Sequence, residues 1–188
     1  IGWRSGNRGM CAQPCRKPYR LVIGEKDDYG RPKDLRAVPA EGRYLLSTRD
    51  LSVYPYLGRI ARAPVASLKI EGRMRSPEYV ATVVSIYRRA LDAIAAGDLW
   101  SPSREDMRDL ALAFNREFTE GYILGARDIM ARDWPGNRGI PLGTVTGYDP
   151  RRQEATVRLT GDLAPRSGDG LAFCTDDPEE DTGAVVRG

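Results

Sequence analysis

Apolar residues recur with helical spacing in some stretches of this chain and alternate with polar ones in others, and those stretches predict its elements. From Pro77 to about Ala96, Val80, Val83, Val84, Tyr87, Leu91 and Ile94 recur at three- and four-residue steps, with Glu78, Arg88, Arg89 and Asp92 among the polar positions. Ser76 is placed to accept from the free amides at the start of this helix, Pro77 needs no N–H there, and Glu78 suits the positive end of the dipole. Gly97 stops it. A further helix starts at Ser103, with Asp106 as its capping partner, and buries Met107, Leu110 and Phe114. Another is expected from about Asp50 to Ile60, capped by Ser47 or Thr48.

Strand patterns fall between and after these helices. Tyr19 to Ile23 followed by the turn residues Lys26, Asp27, Asp28, Tyr29 and Gly30 predicts a hairpin, and Tyr44 to Ser47 a short strand. Pro64 to Ile70 reads as an apolar strand running into Glu71, Gly72 and Arg73. After Trp134, Pro135 and Gly136 the pattern changes: Thr144 to Tyr148, Ala155 to Leu159 and Leu171 to Phe173 read as strands, with a fourth starting at Ala184. Asp149-Pro150 and Ser167-Gly168-Asp169-Gly170 supply turns. The expectation is an α/β unit over 1–135 and a small, incomplete β-barrel module over 139–188.

Composition narrows the function classes. Hydrophobic residues make up 41% and charged residues 29% of 188, the balance of an ordinary globular chain. No apolar run approaches the roughly 18 residues of a membrane span, no signal pattern opens the sequence, and a cytoplasmic protein without membrane contact is expected. The chain starts at Ile1 rather than Met, so a missing N-terminal portion is expected as a partner of what is here. There is no histidine, so a Ser/His/Asp triad, a Cys/His dyad or a His-ligated zinc site cannot be assembled from this chain. The net charge is only +3, yet Arg4, Arg8, Arg16, Lys17 and Arg20 crowd the first twenty residues. Such a cluster in a Gly-rich loop suits phosphate, and equally describes a solvated face.

Three constellations could carry chemistry. Cys11 and Cys15 are spaced to reach one metal centre, or are a pair of reduced thiols, while Cys174 is expected to be small and buried. Lys69, Glu71 and Arg73 end the apolar strand, where Lys69 and Arg73 can hold an anion that Glu71 organises; a local ion-pair network reads the same way. Asp181-Thr182-Gly183-Ala184 has the lettering of an aspartic protease, but Pro178, Glu179 and Glu180 precede it where that mechanism needs an apolar strand, and a turn is expected.

The segment from Arg4 through Asn7, Arg8, Cys11 and Cys15 to Arg16 closely resembles the signature of the peptidase U32 family, the collagenase-like proteases. Ser67-Leu68-Lys69-Ile70-Glu71-Gly72-Arg73-Met74, with Ser76-Pro77-Glu78-Tyr79-Val80, resembles its other hallmark. Leu45 to Leu51, Phe114-Asn115-Arg116, Phe118 to Tyr122 and Asn137-Arg138-Gly139 are similar as well. The resemblance implies the C-terminal half of a modified, TIM-like β/α barrel followed by the small β-barrel. It implies a four-cysteine [4Fe-4S] cluster, with Cys11 and Cys15 as two ligands and two more upstream; zinc, or no metal in this segment, stays open. It further implies hydroxylation of tRNA, rRNA or a small molecule, with Arg4, Asn7, Arg8 and Arg16 on the anionic partner and Lys69, Glu71 and Arg73 as catalytic residues. A peptidase acting on a peptide substrate, and a non-catalytic binding scaffold, are the alternatives.

Overall fold

Ser76 opens the longest element. Its Oγ accepts from the Tyr79 amide at 3.3 Å, and the helix α2 runs over Pro77–Ala95, ending before Gly97 turns the chain at φ +86°. Its partner α3, Arg104–Ala113, is capped in the same way: Ser103 Oγ accepts from the Asp106 amide at 2.9 Å. The structure, a computed structural model, describes residues 2–187 and divides into two compact units, one reaching to Asn137 and one starting at Arg138.

In the first unit, β1 (Val22–Lys26) and β2 (Pro32–Ala37) form an exposed antiparallel ribbon. Asp27 closes its turn by accepting from the amides of Tyr29 and Arg31, and Gly30 takes the left-handed conformation there. Then follow β3 (Asp50–Leu51), the short helix α1 (Leu57–Ile60), α2, α3 and β4 (Phe118–Thr119). β3 and β4 pair in parallel, Asp50 opposite Phe118, with the helices in the connection between them. A parallel pair needs such a crossover, and this unit is what makes the chain α/β.

The core forms where α1, α2 and α3 meet: Tyr54, Leu57, Val83, Ile86, Ala90 and Leu110 are buried, with Tyr87, Leu91, Trp100 and Met107 packed against them. Tyr54 meets the rings of Tyr87 and Trp100 edge-on at 5.6 and 5.3 Å, and its hydroxyl donates to Asp106 at 2.6 Å. Burial, with the Asp106 carboxylate as its acceptor, pushes the Tyr54 phenol up to about 12. The buried face of α2 is turned from the expected one: Val80 and Val84 are exposed, and Ile86 and Ala90 take the centre.

Several expected elements are replaced. Tyr44 to Ser47 is a turn, and the strand geometry begins at Thr48, which bridges Met130. The predicted helix over 50–60 is β3, a 3₁₀ turn at Tyr54–Tyr56 and α1; Pro55 lacks the amide a continuous helix would need. Pro64 to Ile70 is not a strand, because no described segment pairs with it. Described strands in both units pair two by two and close no barrel.

In the second unit, β5 (Gly143–Asp149) pairs with β6 (Glu154–Leu159), and β7 (Gly170–Phe173) with β8 (Thr182–Val185), both antiparallel. Thr182, Gly183 and Ala184 therefore lie in a strand rather than the expected turn. Asp181 just before them accepts from the amide and hydroxyl of Thr175 at 2.6 and 3.1 Å, which ties down the β7–β8 connection. Cys174 is exposed, not the buried residue expected from its neighbours. Partial desolvation, with Asp181 nearby, pushes its thiol pKa up.

Candidate functional site

The Gly/Arg/Cys-rich start of the chain folds as a loop with two single 3₁₀ turns, Gly6–Arg8 and Pro14–Arg16. Arg4 stitches it from inside, donating to the carbonyls of Met10 and Cys11 at 3.4 and 3.2 Å. Gln13 turns the chain between the two cysteines with φ +50°, a conformation that few residues other than glycine hold, and its amide donates to Cys11 Sγ at 3.3 Å. Cys11 is half-buried and Cys15 exposed; both are free thiols. Among the described residues no group of three or more Cys, Asp or Glu could hold a metal. The loop thus supplies two thiols, fewer than the four that a thiolate-ligated cluster needs.

Two motifs far apart in sequence meet at this loop. Arg73 Nη1 donates to the main-chain carbonyl of Asn7. Its aliphatic stem passes Gly9, where a β-carbon would stand 3.8 Å from Arg73 Cδ on a backbone already at φ +71°. Arg16, at the other end of the loop, reaches inward and donates from Nη1 to Ser47 Oγ and to the Thr48 carbonyl, each at 2.6 Å. Ser47 is fully buried, so this bond satisfies a hydroxyl that would otherwise be stranded. Arg8 is exposed on the loop surface. Lys69 and Glu71 pair at 3.3 Å but are largely exposed, so their attraction is weak, and both line a cleft rather than the cysteine loop.

That cleft holds the residues that sequence reasoning did not assign to a site. Arg116 chelates Asp50 with Nε and Nη2 and donates to it from its own amide at 2.9 Å, with both side chains mostly buried. Arg75 lies on the Phe114 ring, its guanidinium carbon 3.2 Å from the ring centroid, and Tyr79 meets Phe114 edge-on at 6.4 Å. Burial, and then repulsion from Arg116, lowers the pKa of both Arg16 and Arg75, while Asp50 pulls the other way. Burial pushes the Tyr79 phenol up. Three guanidiniums therefore share the field of one carboxylate. In the sequence Arg116 stands out only within a resembling tripeptide, Phe114 there and as a buried helix residue, and Asp50 as a helix start and within the resembling segment Leu45 to Leu51. Nothing in local spacing joins Asp50 to a partner 66 residues away.

Comparison with known proteins places these residues in context. The family described as Peptidase family U32 matches residues 1–132. The 23S rRNA 5-hydroxycytidine C2501 synthase of Escherichia coli is 38% identical over 177 residues, covering 89% of this chain and 25% of the synthase. The tRNA hydroxylation protein P1 of Bacillus subtilis is 33% identical over 179 residues, 90% of this chain and 40% of that protein. A collagenase of Porphyromonas gingivalis is 41% identical over 125 residues, 65% of this chain and 32% of the collagenase. The chain thus spans well under half the length of these relatives. No solved structure matches it.

Proposed function

Because this chain belongs to peptidase family U32, whose members include proteins named for both hydroxylation and proteolysis, we propose that it serves in hydroxylation of a base in tRNA or rRNA. One observation carries the choice. Among relatives whose alignments pass Asn137 into the second unit, those named for rRNA and tRNA hydroxylation are 38% and 33% identical to this chain, against 29% for one named as an uncharacterized protease. The chemistry of the chain agrees: half-buried guanidiniums suit a phosphate backbone, and without a histidine the chain cannot supply the imidazole of a proteolytic triad or dyad.

In this reading Cys11 and Cys15 are two of the four thiolates of a [4Fe-4S] cluster, the other two coming from outside this chain. Such a cluster would supply electron transfer when bound. The chain's own residues do the holding. Arg4 fixes the carbonyls on either side of Cys11, Arg73 fixes the loop at Asn7, and Arg16 anchors its far end to Ser47. Arg8, exposed on the loop, and Lys69 and Glu71, at the cleft rim, are positioned to meet the RNA. The peptidase reading is favoured by the 41% identity to the collagenase and remains the second.

The test is the nucleoside content of cellular tRNA and rRNA, digested and weighed by mass spectrometry, from cells with and without the gene. Loss of one nucleoside heavier by a single oxygen supports the proposal. Unchanged nucleosides, with lost cleavage of denatured collagen, support the peptidase reading instead.

A further inference from the structure

The cleft in the first unit has a volume of about 510 Å³, within the range of small-molecule sites. Its two parts differ in character. Leu68, Ile70, Val83, Tyr87, Leu110 and Phe118 give an apolar wall, and Asp50, Arg75 and Arg116 give a charged rim with Tyr79 and Phe114 between the two. The rim is not neutral. Arg116 already takes up the Asp50 carboxylate in a bidentate pair. Arg75 has no carboxylate partner among the described residues and rests on the faces of Phe114 and Tyr79, at 3.2 and 5.8 Å from their centroids. Arg16 adds a third charge to the same field.

Half-buried cations that repel one another are unfavourable unless an anion joins them, since desolvation is repaid only by close opposite charge and hydrogen bonds. A guanidinium held flat on an aromatic ring keeps its N–H edge for an acceptor, and that fork matches phosphate oxygens. The adjoining aromatic and aliphatic wall suits the flat face of a base, which gains by stacking. Enzymes that modify a base must take it out of its stack and enclose it, reading phosphate and base together.

We infer that this cleft receives one unstacked nucleotide of an RNA strand, its phosphate on Arg75 and Arg116 and its base along the wall of Tyr79, Tyr87 and Phe118. This rests on the RNA reading above and adds to it the place where the target nucleotide sits. Lys69 and Glu71, paired at the cleft's edge, then lie beside the bound nucleotide rather than along the flanking strand.

The experiment is calorimetric titration of the chain with cytidine and uridine 5′-monophosphates, the two unphosphorylated nucleosides, and inorganic phosphate. Arg75→Gln and Arg75→Lys are titrated alongside, with circular dichroism to establish that both variants fold. The expected result is that a monophosphate binds, that its nucleoside and free phosphate each bind at least tenfold more weakly, and that Arg75→Gln weakens the monophosphate roughly tenfold while Arg75→Lys retains part of the affinity. The proposal is overturned if neither monophosphate binds, if folded Arg75→Gln binds as wild type does, or if free phosphate binds as tightly as the nucleotide. The two readings fail separately. Unchanged cellular nucleosides with an Arg75-dependent nucleotide site would sink the hydroxylation reading and keep the cleft, whereas a lost nucleoside with binding indifferent to Arg75 would sink the cleft alone.

Discussion

Arg73 donates from its guanidinium to the main-chain carbonyl of Asn7, joining the cysteine loop to the segment that opens α2 across 66 residues of sequence. A charge-assisted bond to a carbonyl contributes about 1.5–3 kcal/mol. Both partners are exposed, which places Arg73→Ala at the low end of that range. The expected outcome is a small loss of global stability with faster hydrogen exchange at the amides of Gly9 and Met10, while α2 and α3 keep their protection. Unchanged exchange in the loop would show that Arg73 does not hold it.

Arg116 encloses the Asp50 carboxylate in the cleft, with the two side chains 14% and 19% exposed respectively. Removing one partner of a largely buried pair leaves the other charge uncompensated, at roughly 3 kcal/mol. Asp50→Ala is expected to destabilise by about that much, because Arg16 and Arg75 then repel Arg116 without relief. The double variant Asp50→Ala/Arg116→Ala should lose less than the sum of the two single losses, as measured by denaturant unfolding.

Tyr54 gives the fold a signature at alkaline pH. Its folded pKa, about 12, lies above the ordinary value of 10.0, so the neutral phenol is the form that folding favours. The stability this contributes is fully present below pH 10 and is lost as the pH rises through about 12, since the unfolded chain gives up its proton first. Thermal unfolding across this window should show a steeper decline for wild type than for Tyr54→Phe. The variant also forgoes the bond to Asp106, so it starts from a lower stability at neutral pH.

The helices α2 and α3 were legible because their signals are local. Ser76-Pro77-Glu78 and Ser103 with Asp106 satisfy amides within one turn, and the apolar spacing follows from helix geometry. The strand expected over Pro64 to Ile70 failed for the opposite reason. An apolar run becomes a strand only beside a partner, and the described residues provide none. Val80 and Val84 read as core by period, yet only the neighbours supplied by α1 and α3 decide which side of α2 is covered. In the candidate site, the Cys11–Cys15 loop and Arg73 stood out in the sequence, but their contact did not. Asp50 and Arg116 come together beside the parallel β3–β4 pairing and Arg75 joins them through the Phe114 ring, contacts that no local pattern encodes.

The thiols of Cys11 and Cys15 carry a prediction of their own. Protein isolated without oxygen from its source cells should contain iron and acid-labile sulfide, and Cys11→Ser and Cys15→Ser should each lose both while remaining folded. Folded wild-type protein without iron would remove the cluster from the account and leave the RNA-binding surfaces to be judged separately.

Hydroxylation of RNA is tested by the nucleoside profile of tRNA and rRNA from cells lacking the gene, complemented with wild type or with Cys11→Ser. If the chain serves in hydroxylation, one nucleoside heavier by a single oxygen is missing from the deleted cells, returns with the wild-type gene, and does not return with Cys11→Ser. Identical profiles in all of these cells would contradict it.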